Sequence, residues 1–429
     1  MFNESKNQTA WVKLFERYSI IDQINKNGLF FITSEKINEF RESRLMTKFD
    51  NESQLPEILF DEKITILPTS RGSYALGRFE IFHKFEKIAE QTFHYNFQNT
   101  YESLDFNNIN TESLAISCAY ASKILEHFVG EELMPTVSGR MSSNSFDFDV
   151  NDKAAHTHQI HVDKAQIEID GGFEGATSLV LIEAKNFISN DFIVRQLYYP
   201  FRRWNGSISK KIRNIYLTYS NGVFELREYE FANFLGYNSI QLVKSERYSI
   251  YSYEINIESI QNIMNTTKVG AEPQTVPFPQ ADAFERVVNL CELLNANEFI
   301  LKVDITENYG FDSRQTDYYL NACCYLGLAD SSKNDQGDSV GVLTEKGGTI
   351  FSKDINERRM LLIEAILAKN AFRETLKLYF SKAEMPNREE IVRIMRNSNL
   401  YRVGSDSTYE RRASTISGWI NWVVNQLEE

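Results

Sequence analysis

Apolar residues recur at helical spacing over Ala10–Asn25 and Ser34–Lys48, which predicts two helices. K-I-T-I-L-P and S-Y-A-L-G-R-F-E-I-F follow as strand patterns, so residues 1–110 are expected to form an α+β region. The stretch from Glu112 to Gly130 has the apolar spacing of a core helix and stops on glycine. Two alternating runs, S-F-D-F-D-V (Ser145–Val150) and A-Q-I-E-I-D-G-G-F (Ala165–Phe173), predict half-buried strands, the second ending in a Gly-Gly turn. S-L-V-L-I-E-A-K, from Ser178, is apolar at successive positions, as strands covered on both faces are. Phe192–Trp204 reads as a helix that Pro200 kinks or ends. Asn221-Gly222 lies between two alternating runs and predicts a hairpin. This order of helix, three strands, helix and strand fits one α/β layered domain over residues 111–270.

Residues 271–280 hold three of the chain's eight prolines and read as a linker. Beyond it the texture becomes mostly helical. Over 281–355 the order is helix, short helix, a turn at Gly310, a longer helix N-capped by Asp312 or Ser313, and a hairpin, an order that resembles a winged helix. Residues 356–429 read as a second helical, helix-turn-helix-like module.

With 429 residues the chain exceeds what one core usually serves, so two or three domains are expected. No apolar run approaches the roughly 20 residues that span a bilayer, and the N-terminus lacks a signal-peptide pattern. The four cysteines form no C-x-x-C pair, so neither a zinc site nor a disulfide framework is indicated, and a cytoplasmic protein with reduced thiols is expected. A net charge of −13 argues against nonspecific coating of nucleic acid. It leaves open an enzyme that concentrates its basic residues in one cleft.

The chemistry is carried by the end of the apolar strand. Residues two apart on a strand share a face, so Glu183 and Lys185 point together, as do Glu168 and Asp170 on the strand before. Buried charges are costly unless they are paired or bind a metal. A hairpin between these strands would bring Asp170 close to Glu183. An E-x-K triplet alone carries little information, and Asp61-Glu62-Lys63 shows the same kind of spacing without an acidic strand before it. I-E-I-D-G-G-F followed by L-I-E-A-K-N resembles the PD-(D/E)xK nuclease superfamily, to which many type II restriction endonucleases belong. The expected fold class is therefore α/β, a mixed-sheet nuclease core with an N-terminal α+β region and a mostly α C-terminal winged-helix region. The resemblance implies that Asp170 and Glu183 ligate Mg²⁺, and that Lys185 orients water or stabilises the transition state. Ile169 stands where the family has its proline.

Phe192 to Tyr216 contains no acidic residue and holds Arg195, Arg202, Arg203, Lys210 and Lys211, a local basic block suited to a phosphate-lined cleft. Gln196 and Glu168 are additional site candidates, and Tyr199 reads as core. In the C-terminal half, Arg314, Gln315 and Thr316 fall in the first turn of the presumptive recognition helix, where side chains reach base edges. The run S-D-S-T-Y-E-R-R-A-S-T-I-S-G-W resembles C-terminal DNA-binding segments of restriction-type nucleases, and adds Arg411 and Arg412, with Ser405, Ser407 and Thr408, as contacts. Glu126, Glu131 and Glu132 each qualify as a further metal ligand. His156, His158 and His161 read as a solvent-facing strand edge, since Mg²⁺ favours carboxylates.

These readings predict a Mg²⁺-dependent, site-specific double-stranded DNA endonuclease. It would act as a homodimer or a DNA-induced dimer, because a duplex needs two cuts, and a cognate DNA methyltransferase is expected in the same system. The rivals are a catalytically inactive nuclease-like regulator and a repair or modification-dependent nuclease.

Overall fold

A computed structural model describes residues 6–88, 91–95, 101–251, 255–308, 311 and 313–427. The protein is a mixed α/β chain built on one seven-stranded mixed sheet. Its strands, numbered in chain order, are β1 (Thr92–His94), β2 (Met134–Ser142), β3 (Gln166–Glu174), β4 (Ser178–Lys185), β5 (Lys211–Ser220), β6 (Val223–Phe231) and β7 (Ile240–Ser249). They lie side by side as β1-β7-β6-β5-β4-β3-β2. β4 pairs parallel with β5, and β7 with β1; the other pairings are antiparallel. Asn221 and Gly222, both with positive φ, turn β5 into β6 as expected.

Every residue of β4 is buried. One face, Val180, Ile182 and Ala184, packs with helix α1 (Glu112–Ala121) and Phe128. The other, Leu179 and Leu181, packs with Ile169 and lies beneath Trp204 of helix α2 (Arg195–Trp204). Coverage on both faces is why the run is continuously apolar. Helix α2 is the crossover between β4 and its parallel neighbour β5, and it continues through Pro200 for four more residues. The helix predicted from Glu112 to Gly130 breaks at Lys123, which takes positive φ, and resumes over Ile124–Val129.

The β3–β4 turn differs from expectation. Gly171 and Gly172 lie inside β3, opposite Ile182 and Leu181, and the chain turns at 175–177. The glycines serve close packing instead: a Cβ on Gly172 would stand 2.7 Å from the Val137 carbonyl oxygen. The strand predicted at Ser145–Val150 forms over Phe146–Asn151, but it pairs with Thr157–Val162 in a separate ribbon outside the main sheet. On that ribbon Asp152 holds His156 and His158, and Asp147 holds His161.

The N-terminal helices are shorter than predicted. Ser19, with positive φ, splits the first into Lys6–Tyr18 and Ile20–Asn27, and the second is reduced to Ser34–Asn38 and Ser43–Met46. These helices cover a three-stranded sheet with its own core, from Ala10 to Leu76. Leu67, Ala75, Phe79 and Ile81 join the core beside the central sheet, so the N-terminal region is fused to it rather than tethered.

The C-terminal part runs helix α3 (Phe284–Asn295), a short strand Ile300–Leu301, helix Lys302–Asn308, helix α4 (Ser313–Tyr325) and a ribbon of Ala329–Lys333 with Ser339–Leu343. Gly310, Asp312 and the Ser313 side chain lie outside the described residues, and with them the predicted turn and cap. Five further helices follow, to Val424. One core joins residues before and after 355, including Phe284, Leu320, Phe372 and Trp419, so the two modules expected there form one packed body. The proline-rich 271–280 segment has no regular structure but is anchored: Phe278 is buried, and its N–H donates to the Tyr401 carbonyl. No helix among the described residues is long and apolar enough to cross a membrane.

Candidate active site

The β3–β4 ladder ends at the Gly171–Ile182 pair. The next N–H of β4, that of Ala184, donates to Asp170 Oδ2 at 2.9 Å instead of to a strand carbonyl. Asp170 thus closes the ladder with its side chain, and faces the same side of the sheet as Glu183. Glu183 Oε1 receives two donors, Lys185 Nζ at 2.5 Å and Gln196 Nε2 at 2.6 Å. Lys185 Nζ also donates to the Ala184 carbonyl at 3.1 Å and lies 3.4 Å from Glu112 Oε1. Gln196 Nε2 reaches Asp50 Oδ1 at 3.1 Å. The ammonium therefore lies against the carboxylates of Glu183 and Glu112, with Asp170 adjoining through the Ala184 N–H and Asp50 through Gln196.

Glu183 is 7% exposed and Lys185 6%. Burial raises the Glu183 carboxyl to about 8; Lys185 opposes this, and the negative charges of Asp170 and Asp50 reinforce it. Burial works against the Lys185 charge, but Glu183, Asp50 and Glu112 outweigh it and hold the ammonium well above its usual range. Glu112 is raised by burial against the pull of Lys185, with Asp170 and Asp50 adding to the rise. All three shifts share one cause beyond desolvation: more carboxylates than cations in a dry site.

Of the predicted residues, Asp170, Glu183, Lys185 and Gln196 are brought together. Tyr199 is core, its hydroxyl donating to the Pro68 carbonyl. Glu168 stays outside, exposed and paired with Arg140 at 3.2 Å. Glu126, Glu131 and Glu132 belong to the wrong end of the sheet: Glu131 accepts from Thr177 and Ser178, at the start of β4, and Glu126 from Lys123. The acid that does reach the site from this helical segment is Glu112, at its beginning. Sequence reasoning missed it, and Asp50 as well. Glu112 carried a usable signal, an acidic first turn on the helix packed over β4. Asp50, in an irregular segment 133 residues before Glu183, carried none.

The basic block is also sorted. Arg202 is buried, its guanidinium 4.6 Å from the Phe146 ring and 4.0 Å from the Phe234 ring, donating to the Asp147 carbonyl and Tyr198 hydroxyl. It is a core residue, not a phosphate contact. Lys210 pairs with Glu174 at 2.6 Å, Lys211 is exposed at the start of β5, and Arg195 and Arg203 are partly exposed. In α4, Arg314 is exposed and Gln315 partly so, but Thr316 is buried against the Thr306 hydroxyl, which withdraws it from any base contact. Arg411 is exposed, whereas Arg412 is half-buried and donates to the Phe278 carbonyl. Ser405 caps the last helix, accepting from Thr408 N–H, with Ser407 and Thr408 hydroxyls beside it.

The donor set suits a hard cation. Glu183 Oε2 and Asp170 Oδ1 accept no hydrogen bond among the described residues, and Gln196 Oε1 is a buried acceptor without a partner. These are oxygens, as Mg²⁺ prefers. Among the described residues no three His, Cys, Asp or Glu side chains are already gathered in a metal-holding arrangement.

Three protein-family models match the chain in succession, each described as a domain of unknown function: DUF6996 over residues 8–76, DUF6997 over 77–249 and DUF7226 over 286–428. The second contains all seven strands of the central sheet, and with them Asp170, Glu183, Lys185 and Gln196. The first boundary falls at the end of the N-terminal sheet rather than near 110, and the third match treats the C-terminal helices as one unit, as their common core does. No curated protein and no solved structure matches the chain.

Proposed function

We propose that this protein is a Mg²⁺-dependent, site-specific double-stranded DNA endonuclease of the PD-(D/E)xK kind, acting as a type II restriction enzyme. The observation that carries the reading is the clustering of Asp170, Glu183 and Lys185 at the end of a buried parallel strand, with carboxylates in excess. A site that needs a divalent cation to balance its charge is what phosphodiester hydrolysis requires.

Asp170 and Glu183 would hold the ion, which when bound supplies charge neutralisation at the scissile phosphate. Gln196 fixes the orientation of Glu183 by its 2.6 Å hydrogen bond. Lys185, kept protonated by its acidic surroundings, is placed to stabilise the negative charge that develops on the phosphoryl oxygens. Glu112 and the Ala184 carbonyl tether that ammonium from two further directions.

Target reading falls to the C-terminal body. Its order of helix, strand, helix, helix and ribbon supports a winged helix, and α4 presents Arg314 and Gln315 in its first turn, where Arg and Gln bond base edges. Arg195, Arg203, Lys210, Lys211 and Arg411 remain as phosphate contacts. A homodimer, working in the cytoplasm beside a cognate methyltransferase, completes the proposal.

The test is cleavage of long phage DNA by purified protein with Mg²⁺ or EDTA, beside Lys185→Ala and Asp170→Asn. Discrete fragments that need Mg²⁺ and vanish in both variants are expected. Fragments that persist in both variants would place the centre elsewhere. Tight DNA binding without cleavage of methylated or unmethylated substrate would make the protein an inactive, nuclease-like regulator.

A further inference from the structure

The chain does not leave the central domain freely after Lys185. Asn186 Nδ2 donates to the Asn110 carbonyl at 2.8 Å, two residues before Glu112. Phe187 is buried in the C-terminal core, among residues that include Phe284 and Val288. Asn289 of helix α3 brackets this same stretch. Its Nδ2 donates to the Asn186 carbonyl at 2.9 Å, and its Oδ1 accepts from Ile188 N–H at 3.1 Å. Asn289 is fully buried, so its amide has no solvent to fall back on. One turn further along α3, Glu292 accepts from the Ser220 hydroxyl and Asn221 N–H at the tip of the β5–β6 hairpin, and pairs with Arg358 at 3.4 Å. Between these two clamps lies a small cavity of about 20 Å³, lined by Asn110, Asn186, Glu292 and Arg358, room for one water.

From this geometry we infer that the C-terminal body is part of the active centre: Asn289 is a positioning residue that fixes the backbone carrying Lys185, and through Asn186 the approach of Glu112. This rests on the nuclease reading for its consequence, but not for its structure. Two hydrogen bonds to one backbone segment, on either side of a side chain inserted in the same core, hold that segment to α3 rather than to the sheet that ends at Lys185. The Lys185 ammonium then stays in register with Glu183 only while α3 is docked. A body that binds target DNA is thereby wired to the residue that acts on the phosphate, and a shift of α3 on binding would be felt first at Lys185.

The experiment uses the full chain, with Asn289→Ala and, as a control, Thr415→Val. Thr415 is also fully buried in the C-terminal core and hydrogen-bonded, to Asp282 at 2.8 Å, but does not touch the strand. Hydrogen exchange is followed at the amides of residues 184–188, and cleavage is measured at saturating DNA. Asn289→Ala is expected to speed exchange there at least tenfold and to lower turnover at least tenfold, with DNA affinity within twofold of wild type; Thr415→Val should leave all three in place. Wild-type exchange and turnover in Asn289→Ala would overturn the inference, and so would the same losses in Thr415→Val, which would mark them as general destabilisation. If the wild type cleaves no DNA, the nuclease reading fails, and the exchange measurement alone decides whether α3 holds the strand.

Discussion

Replacing Glu183 by glutamine should stabilise the metal-free protein, and the gain should grow with pH. In the unfolded chain the carboxyl ionises near its ordinary value of 4.5; in the fold, burial and the neighbouring acids raise it to about 8. A group whose folded value is raised contributes most below the unfolded value and loses that contribution as pH rises to the folded one. Each pH unit across that window costs about 1.4 kcal/mol, so ionised Glu183 costs the fold up to roughly 5 kcal/mol by pH 8. Water entry and rotation of the side chain reduce this, and about 2–4 kcal/mol is the expected difference, since buried sites respond as if their dielectric were near 20. Lys185 keeps other carboxylates, with Glu112 at 3.4 Å, so losing the Glu183 charge does not strand it. The assay is urea unfolding of wild type and Glu183→Gln in EDTA, at half-unit steps from pH 5 to pH 9. The two curves should nearly coincide at pH 5, separate steadily to pH 8 and then run parallel. A difference that does not change with pH, or a variant less stable than wild type at pH 8, would refute the account of the site as over-supplied with negative charge.

The same excess predicts that Mg²⁺ in large molar excess raises the thermal midpoint of wild type at pH 8, by the few degrees that about 2.7 kcal/mol at a hundredfold excess over Kd corresponds to. Asp170→Asn and Glu183→Gln should lose that rise in differential scanning calorimetry. Arg202→Ala should destabilise the fold by about 2–3 kcal/mol, because it empties a guanidinium site between two rings; chemical unfolding reads this, and in a gel shift the surviving folded fraction should bind DNA as wild type does. Arg314→Ala, on the exposed first turn of α4, should leave stability within about 0.5 kcal/mol and weaken target binding; unchanged affinity would remove α4 from the interface.

Strand β4 was legible because burial on both faces leaves an unmistakable apolar run, and because two charges at its end have no reason to be there unless paired. Strand periodicity then put Glu183 with Lys185 and Asp170 with its neighbours, and the structure keeps those faces. Failures came where facing is not periodic or the partner is remote. The basic block after β4 was counted along the chain, but a helix distributes consecutive residues around its axis: Arg202 turns to the Phe146 ribbon while Arg203 turns outward. Thr316 and Arg412 were misplaced for the same reason. The Gly-Gly pair was taken for a turn when its lack of side chains lets β2 and α1 approach β3 closely.

Asp50, Gln196, Glu112 and Asn289 carry a lesson about how such a centre is assembled. None is adjacent in sequence to the E-A-K run, and each comes from a different element: the N-terminal region, the crossover helix, the helix under the sheet and the C-terminal body. Gln196, Glu112 and Asn289 reach the end of β4, or the residues just after it, through a hydrogen bond or ion pair of 3.4 Å or less, and Asp50 joins them through Gln196 at 3.1 Å. An ammonium and a carboxylate buried together have several ways to pair and to relax, and an untethered strand end would let them sample all of these. Four elements converging on residues 183–188 remove that freedom, at the cost of desolvating the groups involved. The tethers also cross the three family matches: the central match holds Asp170, Glu183, Lys185, Glu112 and Gln196, and the flanking matches hold Asp50 and Asn289.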